Sequence, residues 1–478
     1  MVELIDGIKV KIGLEIHVQL KTESKLFCSC STDYRDKAAN VNICPICTGQ
    51  PGAKPMGINS KALEQLLKIG LAMGCNFNQN ITVLRKHYFY PDLPTGFQRT
   101  SRPIGYNGKI GKVRIREIHI EEDPGRYELR QGTVDYNRAG VPLVEIVTEP
   151  DMESPEDARM FLDELDAILN YLDAGRDEPG SLRVDANISI NQQTEQGLIE
   201  GTRVEIKNIN SFKGVFDALN YEIVRQNNIL RRGGKIERET RHFDESTGAT
   251  VSLRKKETEE DYRYMSDPDV PPILIIQEKI SDIKEKMPEL PRQKAERLEK
   301  QYNIKSDDAW ILSMDMDIAK LFEELVFMIE SKGVMIEAQK IASWIRGPLK
   351  KQLNYRKIKY TESGLNSEWL SDLLTMFFKD ELTDRGAEQV LIAMLDKKEN
   401  PKEAAEKMNL LKLNDFEELG RIIDEVISSQ KKAVDDYLSG NEKSLNFLIG
   451  QVIKATKGRA DSKVVKELIL NKISQISG

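Results

Sequence analysis

Long apolar runs are missing from this 478-residue sequence, and none approaches the roughly 18 residues a membrane span needs. The opening segment MVELIDGIKVKIG has no basic-then-apolar pattern, so no export signal is read and a cytoplasmic location is expected. Cysteine is scarce at five; in the reducing compartment expected here a disulfide framework is not expected, and four of the five fall between residues 28 and 47, which points to metal. Histidine is scarcer still: His17, His87, His119 and His242 all lie in the first half, where the chemistry is therefore expected. No G-x-x-x-x-G-K-[ST] loop is present, so any ATP would be held by another device. Neither G-x-S-x-G nor a serine-rich segment supplies an amidase nucleophile. Internal repeats and low-complexity tracts are absent as well.

What remains is the composition of a soluble globular protein, with 40% hydrophobic and 31% charged residues. A chain this long divides into about two to four cores. The formal charge of −7 disfavours a general nucleic-acid coat but leaves room for a local basic surface. Up to about residue 290, β-like runs such as KVRIREIHI (112–120), LRVDANISI (182–190) and RVEIKNI (203–209) alternate with Gly, Asn and Asp turns. They predict a largely antiparallel sheet. Helices interrupt it. Ser154 is an N-cap candidate with Pro155 at N1 and Asp157 placed to complete a capping box. Phe161, Leu162, Leu165, Ile168, Leu169 and Leu172 follow at helical spacing, and Gly175 is expected to close the helix. The first part therefore reads as α+β. Pro268, Pro271, Pro272, Pro288 and Pro291 mark a joint, beyond which strings such as DIAKLFEELVFMI are helical. The expected domains are 1–292, 293–405 and 406–478, the last two all-α.

The stretch GLEIHVQL (13–20) alternates without a break. Leu14, Ile16, Val18 and Leu20 fall on one side; Glu15, His17 and Gln19 fall on the other, with about 6.5–7 Å between residues two apart. In HIEEDPG (119–125) three successive acids repel one another unless solvated or neutralised. In GVPLVEIVTEPD (140–151) Glu145 stands between apolar pairs, where an anion needs a partner. Glu15, His17, Glu145 and one of Glu121 and Glu122 can therefore share a divalent cation, and carboxylates suit Mg2+ or Mn2+. Separate salt bridges satisfy the same spacing. Cys28-Ser-Cys30 and Cys44-Pro-Ile-Cys47 bracket a polar loop, as a closed structural Zn2+ site requires, although C-x-C departs from the commoner C-x-x-C. Cys75, in LAMGC, reads as core. Near the C-terminus Lys454, Lys457, Arg459, Lys463, Lys466 and Lys472 face only Asp461 and Glu467. They form either a solvated helix surface or a patch for the backbone of RNA.

Longer motifs carry a resemblance. IGLEIHVQLKT, the cysteine pairs with TGQPG, HYFYPDLPTGFQ, HIEEDPGR, GVPLVEIVTEPD, GSLRVDANISI, EIKNINSF, ETRHFDESTG, DYRYMSDPD and IGQVIKATKGRAD run from residue 12 to the C-terminal region. Through them the chain resembles the GatB family, one of the subunits of the aspartyl/glutamyl-tRNA(Asn/Gln) amidotransferases. Its first half is similar to the archaeal tRNA(Gln)-specific relative, GatE, as well.

The resemblance implies an ATP-dependent carbon–nitrogen ligase that works in a heterotrimer with an amidase subunit, GatA, and a small subunit, GatC. The carboxylate of Glu-tRNA(Gln) or Asp-tRNA(Asn) would be phosphorylated with ATP and Mg2+, then amidated by ammonia that the amidase releases from glutamine. It implies a cradle-shaped first domain, carrying the zinc insert near 28–47, and helical and tail domains that grip the tRNA. The family's metal-binding residues fall on Glu15, His17, Glu122 and Glu145, with Glu121 able to exchange roles with Glu122. Arg183, Asp185 and Asn187, on one face of RVDANISI, would contact ATP or the tRNA 3′ end, and Lys454, Lys457, Arg459 and Lys463 its backbone. A non-catalytic, zinc-stabilised tRNA-binding scaffold is the alternative.

Overall fold

A computed structural model describes residues 8–194, 197–255, 262–412, 416–456, 459–460 and 462–477. It divides into two compact units, Met1–Pro291 and Arg292–Gly478. The chain is α+β: a sheet with helices in the first unit, helices in the second.

The strand β1 (Ile8–Gln19) organises the first unit. Val10, Ile12, Leu14, Ile16 and Val18 are each 7% exposed or less, all on one side because successive side chains alternate. The other long strands are β2 (Val83–His87), β3 (Phe97–Ser101), β4 (Val113–Glu122), β5 (Pro142–Thr148), β6 (Leu182–Thr194), β7 (Val204–Ile209), β8 (Glu239–Asp244) and β9 (Ala249–Lys255). They hydrogen-bond in the order β9-β8-β7-β6-β1-β5-β4-β3-β2 within a 13-stranded sheet. Each pairing on that path is antiparallel except β7 with β8. β1 thus lies between two strands that come from far along the chain.

Helices α1 (Ser60–Ala72), α2 (Pro155–Tyr171) and α3 (Phe212–Arg231) share one apolar core with β1. They contribute Leu66 and Ile69, Phe161, Leu165 and Ile168, and Val215, Leu219 and Ile223. Each such side chain adds roughly 1.5–3 kcal/mol when fully buried. α2 begins as its sequence predicts: the Ser154 hydroxyl accepts from Asp157 N–H at 3.1 Å, and Pro155 occupies the first turn. Its details then depart. Asp157 Oδ2 accepts from the Glu153 N–H at 2.9 Å instead of closing a capping box on Ser154. The left-handed residue beyond the helix end is Asp173, at φ 48°, and not Gly175. Asp tolerates that conformation better than most residues, and here Lys21 Nζ holds its carboxylate at 2.5 Å.

The second unit contains two apolar clusters, one running from Ala295 to Leu410 and one from Leu419 to Ile473. Among the described residues no helix is long and apolar enough to cross a membrane.

The caps of α2 are open to measurement. Ser154→Ala should lower stability by about 1 kcal/mol, and Asp173→Gly should be neutral or stabilising despite the lost ion pair. Urea midpoints of the first unfolding transition check both.

Candidate functional site

The polar side of the sheet follows from register. Glu15 of β1 lies opposite Asp185 of β6; His17 lies opposite Glu145 of β5, which in turn lies opposite His119 of β4. Paired residues share a face with Cβ atoms about 4.5–5.5 Å apart, so acids distant in sequence converge. Two clusters result, His17 with Glu121 and Glu145, and Glu15 with Asp185 and Glu205, each with ligand atoms all within 4.8 Å of one another. His17 Nε2 is 3.6 Å from Glu145 Oε1 and 3.7 Å from Glu121 Oε2. In the second cluster Asn187 Nδ2 donates to Glu15 Oε1 at 3.2 Å, and the Asn208 N–H donates to Asp185 Oδ1 at 2.8 Å. Lys207 Nζ stands 3.6 Å from Asp185 and 3.9 Å from Glu205.

Charge explains how such a face survives. Burial disfavours a proton on His17, but its hydrogen bond to Glu145 and the charges of Glu145, Glu121 and Asp185 outweigh that and carry its pKa up to about 9. Glu145 shows the converse: burial pushes its carboxyl up, yet His17, His119 and Lys86 hold it below the usual range. Glu121 and Glu15 are raised, first by burial and then by the Glu145 charge. An imidazolium therefore occupies the centre of a carboxylate-rich face. The carboxylate oxygens suit Mg2+ or Mn2+, while the imidazole nitrogen, a less typical ligand for Mg2+, leaves the choice of ion open.

Glu122 goes elsewhere. The pleat that puts Glu117, His119 and Glu121 on the polar face turns Glu122 away, to within 3.3 Å of Arg99 Nη1. Of the four residues expected to share a cation, His17 and Glu145 stand together, Glu15 joins the adjoining cluster, and Glu122 lies outside both. Glu121 takes the position expected of Glu122. Arg183 is also engaged: its Nη2 donates to Asp123 Oδ1 at 2.7 Å, and Asp123 Oδ2 accepts from Gln19 at 2.6 Å. Asp185 and Asn187, expected to meet ATP or RNA, belong to the Glu15 cluster. Sequence reasoning passes over Glu205 and Lys207, although Glu-x-Lys alternation in RVEIKNI is the available signal.

The four clustered cysteines also converge, with the Sγ atoms of Cys28, Cys30, Cys44 and Cys47 all within 4.8 Å of one another. A tetrahedron of Zn–S bonds of about 2.3 Å sets sulfurs about 3.8 Å apart, so the thiols fit that ion. Cys47 is the most thiolate-like: the Cys28 hydrogen bond, the Cys44 N–H at 3.2 Å and the Lys25 ammonium at 3.5 Å lower its pKa to about 5. Its partner Cys28 is pushed up by the same bond and by burial. Lys25 is only 1% exposed and also donates to the carbonyls of Asn42 and Tyr136 at 2.9 and 3.3 Å. Gly49 ends the Cys44–Cys47 turn at φ 64°, where a Cβ would meet Thr95 Cγ2 at 2.8 Å. Cys75 is buried apart, within the main core.

Known proteins share this chain nearly end to end. A family described as the GatB/GatE catalytic domain matches residues 10–281, and a second, described as a GatB domain, matches residues 320–473. The chain belongs to the GatB family. Curated relatives, each named as a subunit of an aspartyl/glutamyl-tRNA(Asn/Gln) amidotransferase, agree. That of Methanocaldococcus jannaschii is 46% identical over 98% of this chain and 99% of its own length. That of Methanothermobacter thermautotrophicus is 47% identical over 97% of this chain and 100% of its own length. The second GatB match spans the basic tail. There Lys454 and Lys463 are exposed, while Arg459 is half-buried, 3.7 Å from Glu418 and 3.5 Å from Asn409. Lys457 lies outside the described residues.

The thiol cluster yields a prediction. Metal analysis of the purified chain should find about one equivalent of zinc, lost on Cys28→Ser or Cys44→Ser. Chelation should lower the unfolding midpoint of the parent chain and leave that of the variants unchanged.

Proposed function

We propose that this chain is the tRNA-handling, amide-forming subunit of a tRNA-dependent amidotransferase. Its substrate is the side-chain carboxylate of Glu-tRNA(Gln) or Asp-tRNA(Asn), activated with ATP and converted to the amide in the cytoplasm. The observation that carries this reading is the pair of carboxylate clusters on one sheet face. Activation brings two anions together: a carboxylate oxygen attacks the γ-phosphorus, the bond to ADP breaks, and an acyl phosphate forms. Ammonia then adds at the acyl carbon, loses a proton, and inorganic phosphate leaves. A divalent cation held by His17, Glu121 and Glu145 would supply neutralisation of charge developing on the transferred phosphoryl group.

The chain's own residues position and balance. Glu15, Asp185 and Glu205 hold a second concentration of negative charge beside the first; Lys207 stands at its margin, and Lys86, opposite Gln98 that bonds Glu121, at the margin of the first, as cations for phosphate oxygens. Because hydrogen-bonded strands from β2 to β7 together with β1 carry these groups, their spacing costs little reorganisation during the reaction. The thiol cluster would hold zinc purely for structure, since four protein ligands leave no place for substrate. That the relatives are named as one subunit of a larger enzyme supports an assembly with an amidase subunit, GatA, and a small subunit, GatC, which would deliver ammonia from glutamine.

In the assembled complex with ATP, Mg2+ and ammonia, His17→Ala and Glu145→Gln should each reduce amide formation about 100-fold or more. Binding of misacylated tRNA should stay within about two-fold. Identifying the amino acid released from each tRNA reads the result; variants that lose tRNA affinity but keep the chemistry would overturn the reading in favour of a scaffold.

A separate outcome concerns the tail. Lys454→Glu with Arg459→Glu should weaken tRNA binding and flatten its salt dependence by about one logarithmic slope unit for each phosphate no longer neutralised. Affinity measured across ionic strength checks it, and an unchanged slope would refute the basic patch.

A further inference from the structure

Three tyrosines stand where no part of the proposed chemistry has used them. Tyr88 follows β2 directly, and Tyr262 and Tyr264 precede the short strand Met265–Ser266 that pairs antiparallel with β2. The rings of Tyr88 and Tyr262 meet edge to face, with centroids 6.1 Å apart at 78°, and those of Tyr262 and Tyr264 lie 6.2 Å apart at 60°. Lys86 Nζ sits 4.9 Å from the Tyr262 ring centre. None of the three rings belongs to the apolar core, and Tyr264 is 44% exposed. Packing alone therefore does not account for them.

Their position relative to the acids follows from the strand register. Lys86 lies opposite Gln98 of β3, whose amide donates to Glu121 Oε2 at 3.3 Å. The aromatic cluster around Lys86 thus borders the polar face on the side of the His17, Glu121 and Glu145 cluster. It is also held firmly. Asp267, with a fully buried side chain, accepts from Arg85 at 2.8 Å and from Arg99 at 2.7 Å, and Arg85 bonds Asp269 at 2.9 Å. Arg263 O, between the two tyrosines, is 3.1 Å from His87 Nδ1.

We propose that Tyr262 and Tyr264, backed by Tyr88 and Lys86, form a stacking platform for an adenine ring whose attached phosphates or ester reach the carboxylate clusters. Flat rings accept a base on their faces, and cations beside them suit the phosphates that follow it. The inference rests on the reading that the site consumes ATP and an aminoacylated tRNA. Both substrates carry adenine, ATP as its base and tRNA as its 3′-terminal nucleoside.

The test uses the complete complex and measures KM for ATP and for misacylated tRNA separately. Tyr264→Ala, at an exposed position that folding does not require, and Tyr262→Ala should each raise one of the two KM values about ten-fold, with kcat changed far less. Tyr264→Phe and Tyr262→Phe should restore it, because stacking needs the ring and not the hydroxyl. A rise confined to KM for ATP assigns the nucleotide's adenine; a rise confined to KM for tRNA assigns the terminal adenosine. Both KM values unchanged within two-fold in the alanine variants, or no rescue by phenylalanine, overturns the platform. Absence of ATP-dependent amide formation in the parent complex would instead sink the functional reading, so the two failures are separable.

Discussion

Like charges held face to face across hydrogen-bonded strands are the constraint on which the first unit depends. Glu15 lies opposite Asp185 in a ladder that runs from Ile8 to Val18, and Glu205 of β7 joins the two acids within 4.8 Å. Repulsion between such pairs works against the sheet. What fixes the register is the other face, where Ile12, Leu14, Ile16 and Val18 are at most 1% exposed. A slip by one residue would carry those four side chains to water and the acids into the core. The aliphatic side of β1 therefore sustains the cost of its acidic side. The functional surface and the hydrophobic core are two faces of one strand.

That coupling also explains which parts were legible in the sequence. The unbroken alternation of GLEIHVQL reveals β1 and its polar face, because a period of two is local information. The start of α2 is equally local, with Ser154 and Pro155 adjacent at the turn. Its end is not: a glycine at 175 looks like the stop, but the turn closes at Asp173, whose partner Lys21 lies 152 residues away. Between Glu121 and Glu122 the alternation also decides, since Glu121 shares the parity of His119. That this face is the one carrying His17 depends on the pairing of β4 with β5, where Glu145 lies opposite both His119 and His17. For Glu205 the Glu-x-Lys alternation marks only a polar face; its place beside Asn187 and Thr240 depends on separate strands.

Two secondary devices keep the site in place. The thiol cluster reaches the end of β4: a Cβ at Gly140 would lie 3.7 Å from both Cys47 Cβ and Glu122 Oε1. Glu122, excluded from the carboxylate cluster, is joined through Arg99 to the buried Asp267. Breaking one partner of such a buried chain costs more than the pair itself is worth, because it strands a charge. On the opposite flank Glu222, also fully buried, gathers Arg225, Gln226, Thr250 and Arg241 and ties α3 to the outer strands. Acids serve two purposes in this fold. Those with arginine partners brace it, and those left among other acids are the ones to which the proposed function gives the chemistry.

His17 separates these two purposes most clearly. A protonated imidazole at its position relieves Glu145 and Glu121, which is why its pKa rises to about 9 although burial opposes it. A metal ligand must instead be neutral at the coordinating nitrogen. Under the proposed function, proton and divalent cation would be alternative occupants of this position, each satisfying carboxylates that cannot satisfy one another. With Arg99 held by Glu122 and Asp267, and Arg183 by Asp123, neither nearby guanidinium takes that place. The arginines are kept outside the cluster by buried acids of their own, and the centre remains open to a small exchangeable charge.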